Sequence, residues 1–207
     1  MITLFVLVAV VLGVSIAVYM SKRTVAGYDG PPAEKDNLPQ RPKKDVYLGI
    51  RDLALHGSRE KIGIEAMRSP SVPWGVVMDW GLLDGTATVV ALSDGSASVY
   101  WSSGGGWIGG KNIEPVQKAA QKAVRIAAEF VDLMTSASAF PLPGRGDVIF
   151  YSLTDNGVVT ATGREKDLRE HRHPLSKLGD AIQEVITEFC KHEQNRKANN
   201  QEPQNPA

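Results

Sequence analysis

A single cysteine, Cys190, stands among 207 residues. No internal disulfide can therefore staple the fold, and any core must come from apolar packing. Charge of one sign is also lacking, since 23 basic residues balance 23 acidic ones. That balance removes the electrostatic footprint expected of a nucleic-acid binder, or of a protein that captures strongly acidic partners. Catalytic signatures are missing too. No Gly-Lys-Ser/Thr closes a phosphate loop, no dinucleotide fingerprint sits in a βαβ unit, and no Gly-x-Ser-x-Gly elbow presents a serine. Ser102 and Ser103 have no partner at a predictive spacing among His56, His171, His173 and His192. Without a base in reach, a serine is not a nucleophile. His171 and His173, with Glu170, lack the Cys pair or the His-x-x-x-His that would complete a zinc site. No catalytic group, metal centre or cofactor is expected, and an enzyme is the least favoured class.

What is present begins with an apolar run at residues 2–20, interrupted only by Thr3, Gly13 and Ser15. As a helix this run would be roughly 28 Å long, close to the hydrocarbon thickness of a bilayer. Its apolar residues lie all round the helix, which excludes an amphipathic surface helix. The expectation is one N-terminal transmembrane helix at 1–20. Basic residues follow it as Lys22, Arg23, Lys35, Arg41, Lys43 and Lys44, whereas none precedes it. By the positive-inside rule the body then lies on the cytoplasmic side of the inner membrane, single-pass. An exported protein with a signal at Ser15 and Ala17 is the competing reading, although a basic n-region is missing.

Residues 21–44 hold Gly27, Gly30, Pro31, Pro32, Pro39 and Pro42 without apolar periodicity, and read as a flexible tether. Residues 192–207 are rich in Asn, Gln, Lys and Pro and read as a disordered tail. Residues 45–191 between them suit one domain. A helix is expected at 46–56, between Asp45 as a cap and Gly57 as a stop. The period then switches to two. Trp74, Val76, Met78 and Trp80 are expected on one strand face, with Gly75, Val77 and Asp79 on the other. Asp84-Gly85 and Asp94-Gly95 are hairpin signals that join this strand to residues 86–92 and 97–101 as a meander. A helix from about 112 to 134 carries Val116, Ala120, Ala123, Ala127, Phe130 and Met134 on its apolar stripe. A hairpin about Asn156-Gly157 follows. A last helix opens at Pro174 and buries Leu175, Leu178, Ile182, Val185, Ile186 and Phe189, with Cys190 beside it as a structural thiol. The expected fold class is α+β: a mostly antiparallel five-stranded sheet, three-strand meander plus hairpin, covered by helices and preceded by the N-terminal span. This order loosely resembles profilin-like and roadblock-like modules, with the strand grouping of the latter reversed.

A further resemblance covers residues 74–190. Trp74-Gly75-Val76-Val77-Met78-Asp79, then Asp84-Gly85-Thr86-Ala87-Thr88, Asp94-Gly95 and Ser98-Val99-Tyr100-Trp101-Ser102-Ser103-Gly104-Gly105-Gly106 form the pattern, with His173-Pro174-Leu175-Ser176 later. This pattern resembles a family of uncharacterised bacterial proteins. The resemblance implies a bacterial origin and a domain boundary, and no activity.

One loop stands out as a site. Gly104, Gly105, Gly106, Trp107, Gly109, Gly110 and Lys111 precede the middle helix. Backbone amides and a helix N-terminus can hold an anion, though Glu114 opposes one. Trp107, flanked by glycines, is a candidate anchor for a partner. The function expected is a membrane-tethered, non-catalytic domain for protein interaction or assembly at the membrane. It would have a protein partner, no nucleic acid, and the membrane as a second partner through its N-terminal helix. The alternative is a small-ligand or anion sensor that uses the glycine loop.

Overall fold

The computed structural model describes residues 43–199. Helix α1 (Lys43–His56) lies on one face of an antiparallel sheet. Strands β1 (Gly75–Leu82), β2 (Gly85–Leu92), β3 (Ala97–Trp101) and β4 (Gly106–Ile108) form a meander. Helix α2 (Glu114–Ala127) crosses to a two-residue strand β5 (Thr135–Ser136) and the hairpin β6 (Asp147–Thr154) and β7 (Gly157–Arg164). Helices α3 (Glu165–Arg169) and α4 (Ser176–Asn199) complete the body. The strand order is β4-β3-β2-β1-β6-β7-β5.

The expected five-stranded sheet is corrected to seven strands. The two additions, β4 and β5, hold three and two residues. Neither is long enough to display an alternation in sequence, and each exists only because a neighbouring strand offers its edge. The N-terminal span at 1–20 and the tether lie outside the described residues. Among the described residues, no helix is long and apolar enough to cross a membrane. Residues 59–63 are a run of turns, and residues 64–67 have no regular structure. Helix α2 stops at Ala127, and a 3₁₀ turn at Val131–Leu133 replaces its last expected turns. Helix α4 runs past residue 191 to Asn199, where Lys191 pairs with Glu188 and Arg196 with Glu193 at helical spacing.

The period-two reading of the strands places their faces. Val76 and Met78 of β1, Val89 and Ala91 of β2, Ala97 and Val99 of β3 and Phe150 of β6 pack beneath α2 and α4. In α2, Val116, Ala120, Ala123 and Ala127 are all fully buried. Methyl side chains let this helix approach both the sheet and α4 closely. The opposite face carries Val77, Val90, Tyr100, Ile149, Tyr151 and Leu153 beneath α1 and the turns that follow it. Trp74 departs from its expected face. It stands one residue before β1, just after Pro73, and packs into this second cluster rather than with Val76. Its N–H bonds to the Leu153 carbonyl and its carbonyl accepts from Ser93.

Gly81 fixes the entry to β6. The Gly81 carbonyl accepts from Gly146 N–H at 2.8 Å. A Cβ on residue 81 would lie 1.9 Å from the Gly144 carbonyl oxygen, which is backbone and cannot rotate aside. Gly81→Ala is therefore expected to cost about 1–3 kcal/mol. Urea unfolding of the purified variant checks this, and a wild-type midpoint would contradict it.

Candidate functional site

The glycine loop folds into a tight return that adds β4 to β3. Gly104 and Gly105 take φ of +101° and +87°, values that side chains with a Cβ rarely adopt. Gly104 N–H donates to the Trp101 carbonyl at 2.9 Å, and Trp101 N–H donates to the Gly105 carbonyl at 3.2 Å. That bond sets the alternation of the ladder. Val99 and Trp107 form the next hydrogen-bonded pair, so Gly106 and Ile108 direct their N–H and C=O away from β3. Gly109 turns the chain again at φ +87°, and Gly110 is buried. A Cβ on Gly110 would lie 2.5 Å from Val116 and 2.8 Å from the Phe189 ring, so the backbone needs glycine there to reach α2 and α4.

The seven residues singled out in sequence thus divide. Trp107 is half-buried: its ring stacks on Phe189 at 5.7 Å and meets Trp101 edge-on at 5.4 Å. This aromatic stack joins β4 to α4. Lys111 Nζ lies 2.8 Å from Asp94 Oδ2, so the loop's one cation is held by the β2–β3 turn. Glu114, in the first turn of α2, pairs with Lys118 at 2.6 Å. Two open clefts, of about 450 and 540 Å³, are lined by none of residues 104–111. What the loop does present to solvent is an edge: Gly105, Gly106, Ile108 and Gly109 are all exposed, and Ile108 is 73% exposed.

The other candidates are engaged in local structure. Ser102 Oγ accepts from Thr86 N–H at 2.9 Å. His173 Nδ1 accepts from Leu175 N–H at 3.2 Å, and His171 Nδ1 lies 3.6 Å from Asp180. Among the described residues no group of three His, Cys, Asp or Glu is placed to hold a metal ion. Cys190 is half-buried against the core, and burial pushes its thiol up from the ordinary range.

The most concentrated polar chemistry lies elsewhere, beneath α1. Asp79, at the middle of the central strand β1, is fully buried. Its Oδ2 accepts from Arg51 Nε at 2.8 Å and from Nη2 at 2.6 Å, while Oδ1 accepts from Thr88 Oγ1 at 2.6 Å. Because Thr88 donates to Asp79, it accepts from Tyr47 Oη at 2.8 Å. Arg51 also donates to the carbonyls of Phe140 at 3.0 Å and Pro141 at 3.1 Å, and its guanidinium lies 5.8 Å from the centre of the Tyr151 ring. Tyr151 Oη donates to Pro141 O at 3.2 Å. Burial pushes the Asp79 carboxyl up, and the hydrogen bonds and charge of Arg51, with Thr88, pull it back in part. We take the pair as ionised, since the Asp79 carboxylate accepts three hydrogen bonds, two of them from a guanidinium. Burial likewise raises Tyr47, Tyr100 and Tyr151. Sequence reading placed Asp79 on this strand face without a partner for it. The available signal was a carboxylate in an apolar strand, which demands a cation from elsewhere.

No protein-family model, curated protein or solved structure matches this chain. The family resemblance of residues 74–190 therefore stays a reading of the sequence alone.

Two measurements follow from this geometry. Trp107→Ala removes a half-buried ring stacked on Phe189 and edge-on to Trp101, with an expected cost of about 2–3 kcal/mol in stability. Chemical denaturation measures it, and a change under about 0.5 kcal/mol would leave the ring free for a partner instead. Asp94 gives a pH test. Partial burial works to raise its pKa, but bonds from Lys111 and Ser96 outweigh burial and hold the carboxyl below its usual range. A depressed folded-state pKa stabilises the fold above the unfolded value of about 3.9, and this contribution is lost as pH falls through the lower folded value. Asp94→Ala should thus cost about 1 kcal/mol at neutral pH, with the difference from wild type narrowing below about pH 4. Thermal melts at several pH values read this, and a difference that grows on acidification would contradict it.

Proposed function

We propose that this body is a non-catalytic protein-interaction module that takes an extended segment of a partner onto the β4 edge. The observation that supports this reading is the outer edge of β4, where Gly106 and Ile108 turn outward backbone groups that pair with no strand among the described residues, beside an exposed isoleucine. An open edge of this kind templates strand addition. The backbone supplies affinity, and alternate side chains supply specificity. The ring of Trp107 forms a wall on the α4 side, and Ile108 an apolar contact on the α1 side. Placement at the inner surface of a bacterial membrane belongs to the same proposal and rests on the apolar run 2–20 and its basic flank. Anion sensing at the glycine loop is the weaker reading, because Lys111 is paired with Asp94 and Glu114 stands at the start of α2.

Ile108→Pro tests it. Proline here deletes only an outward N–H and is tolerated at such edge positions. The variant should change stability by less than about 1 kcal/mol, yet recover at least tenfold less of any partner that the wild-type chain captures from membranes. Recovery of the same partners in equal yield by a folded Ile108→Pro chain would remove β4 as the binding edge.

A further inference from the structure

The groups that directly hold the Arg51 guanidinium come from outside α1, which braces two of their neighbours through Tyr47 on Thr88 and His56 on the Phe140 ring. Asp79 comes from β1, Thr88 from β2, Tyr151 from β6, and the carbonyls of Phe140 and Pro141 from the segment before β6. Nε, Nη1 and Nη2 each donate to this cage, so five hydrogen bonds, the longest to Tyr151 Oη at 3.5 Å, and an aromatic face converge on one planar cation. Such a constellation is what recognition of an arginine side chain requires, since its donors form a rigid planar fork. Helix α1 holds its place by a narrow stripe. Of its 14 residues only Tyr47, Arg51 and Leu55, spaced one turn apart, are buried. Val46 and Leu53 face solvent, the latter 74% exposed. The strand ladders pair entirely among themselves, so none of their backbone bonds depends on α1. The fit of α1 is also incomplete. Tyr100 is 4% exposed and its ring meets Tyr47 edge-on, yet its hydroxyl has no hydrogen-bond partner. It is the one buried side-chain polar atom among the described residues left in that state. A group that α1 does not supply is wanted there.

We propose that the sheet face beneath α1 is a binding site for an arginine side chain, filled in cis by Arg51. An arginine-bearing helical segment of a partner takes the same cage when α1 lifts. The site shares no residue with β4, so either reading survives the failure of the other. Specificity follows from the cage. Lysine cannot engage two carbonyls and a carboxylate from one plane, and a segment with a polar group near Tyr100 gains the bond that α1 leaves unmade.

A fluorescein-labelled peptide with the sequence of residues 43–56 tests the cage, with the full chain as receptor. It should bind the Arg51→Ala chain at least tenfold tighter than wild type, where Arg51 competes. The same peptide with alanine in place of its arginine should lose tenfold or more, and adding Asp79→Asn to the Arg51→Ala chain should abolish the gain. Equal binding to wild type and Arg51→Ala, or equal binding of the peptide without arginine, overturns the proposal. Should Arg51→Ala fail to fold, hydrogen exchange on wild type decides. Amides of residues 43–56 should exchange at least tenfold faster than those of β1, and faster still when the arginine peptide is added. Exchange of α1 at the rate of β1, or no response to the peptide, overturns it.

Discussion

A carboxylate buried at the centre of the sheet constrains everything on one of its faces. Asp79 stands in β1, the middle of seven strands, with no exposure to solvent. An isolated charge there is prohibitive, so a cation must be brought to it and hydrogen bonds must fill the remaining lone pairs. Arg51 supplies the cation, and Thr88, relayed from Tyr47, fills the second oxygen. Removing one partner of such a pair typically costs about 3–5 kcal/mol, whereas the intact pair adds little net stability over an apolar substitute. The cluster is therefore a device of specificity. It dictates which helix face lies down, and at which register, more than it holds the body together. Stability comes mainly from the other face, where the methyl groups of α2 and the long side chains of α4 exclude water from a continuous apolar layer.

The edges of the sheet follow a different logic. Each ends in a very short strand, β4 at one side and β5 at the other. Short edge strands limit indiscriminate pairing. On β4 the limitation is incomplete, because the three residues are flanked by glycines that leave open space around Gly105 and Gly109. Ile108 adds apolar surface where a charge would protect the edge better. An edge that is short, accessible and apolar favours one matched segment over general aggregation.

Much of this architecture is written in local sequence. Alternation fixed the faces of β1, the Asp-Gly and Asn-Gly turns fixed three hairpins, and the alanine stripe marked the buried side of α2. Each of these signals lies within a few residues of what it determines. The misses share the opposite character. β4 and β5 are too short to carry a period and arise from pairing with Ser98–Tyr100 and Val159–Thr160, which is information held elsewhere in the chain. Trp74 left its expected face because the alternation begins only at Gly75, where the ladder begins. Arg51 and Asp79 are 28 residues apart and meet only once α1 has folded over β1. The candidate loop is a forced turn, since its five glycines, with positive φ or close packing, demand that residue type. Its role as an edge strand depended on the register of β3.

The charged surface bears on the proposed mode of recognition. Lys111 binds Asp94, Lys122 binds Glu184, Lys177 binds Glu129 and Arg164 binds Asp147, so these four surface cations already have partners. Exposed pairs of this kind contribute at most about 1 kcal/mol each. They cannot be what locks α2 against α4, and the alanine-to-leucine packing beneath them must do so. What they accomplish is neutralisation, leaving a surface without a field strong enough to steer a charged partner from a distance. Discrimination must then act at contact range. At that range the β4 edge offers outward amides and carbonyls beside a single isoleucine, and the α1 face offers one guanidinium-shaped cage. In the two proposals made above, selection acts at contact range, through strand geometry at β4 and through one guanidinium-shaped ion pair beneath α1, which is the mode that a chain of zero net charge leaves open.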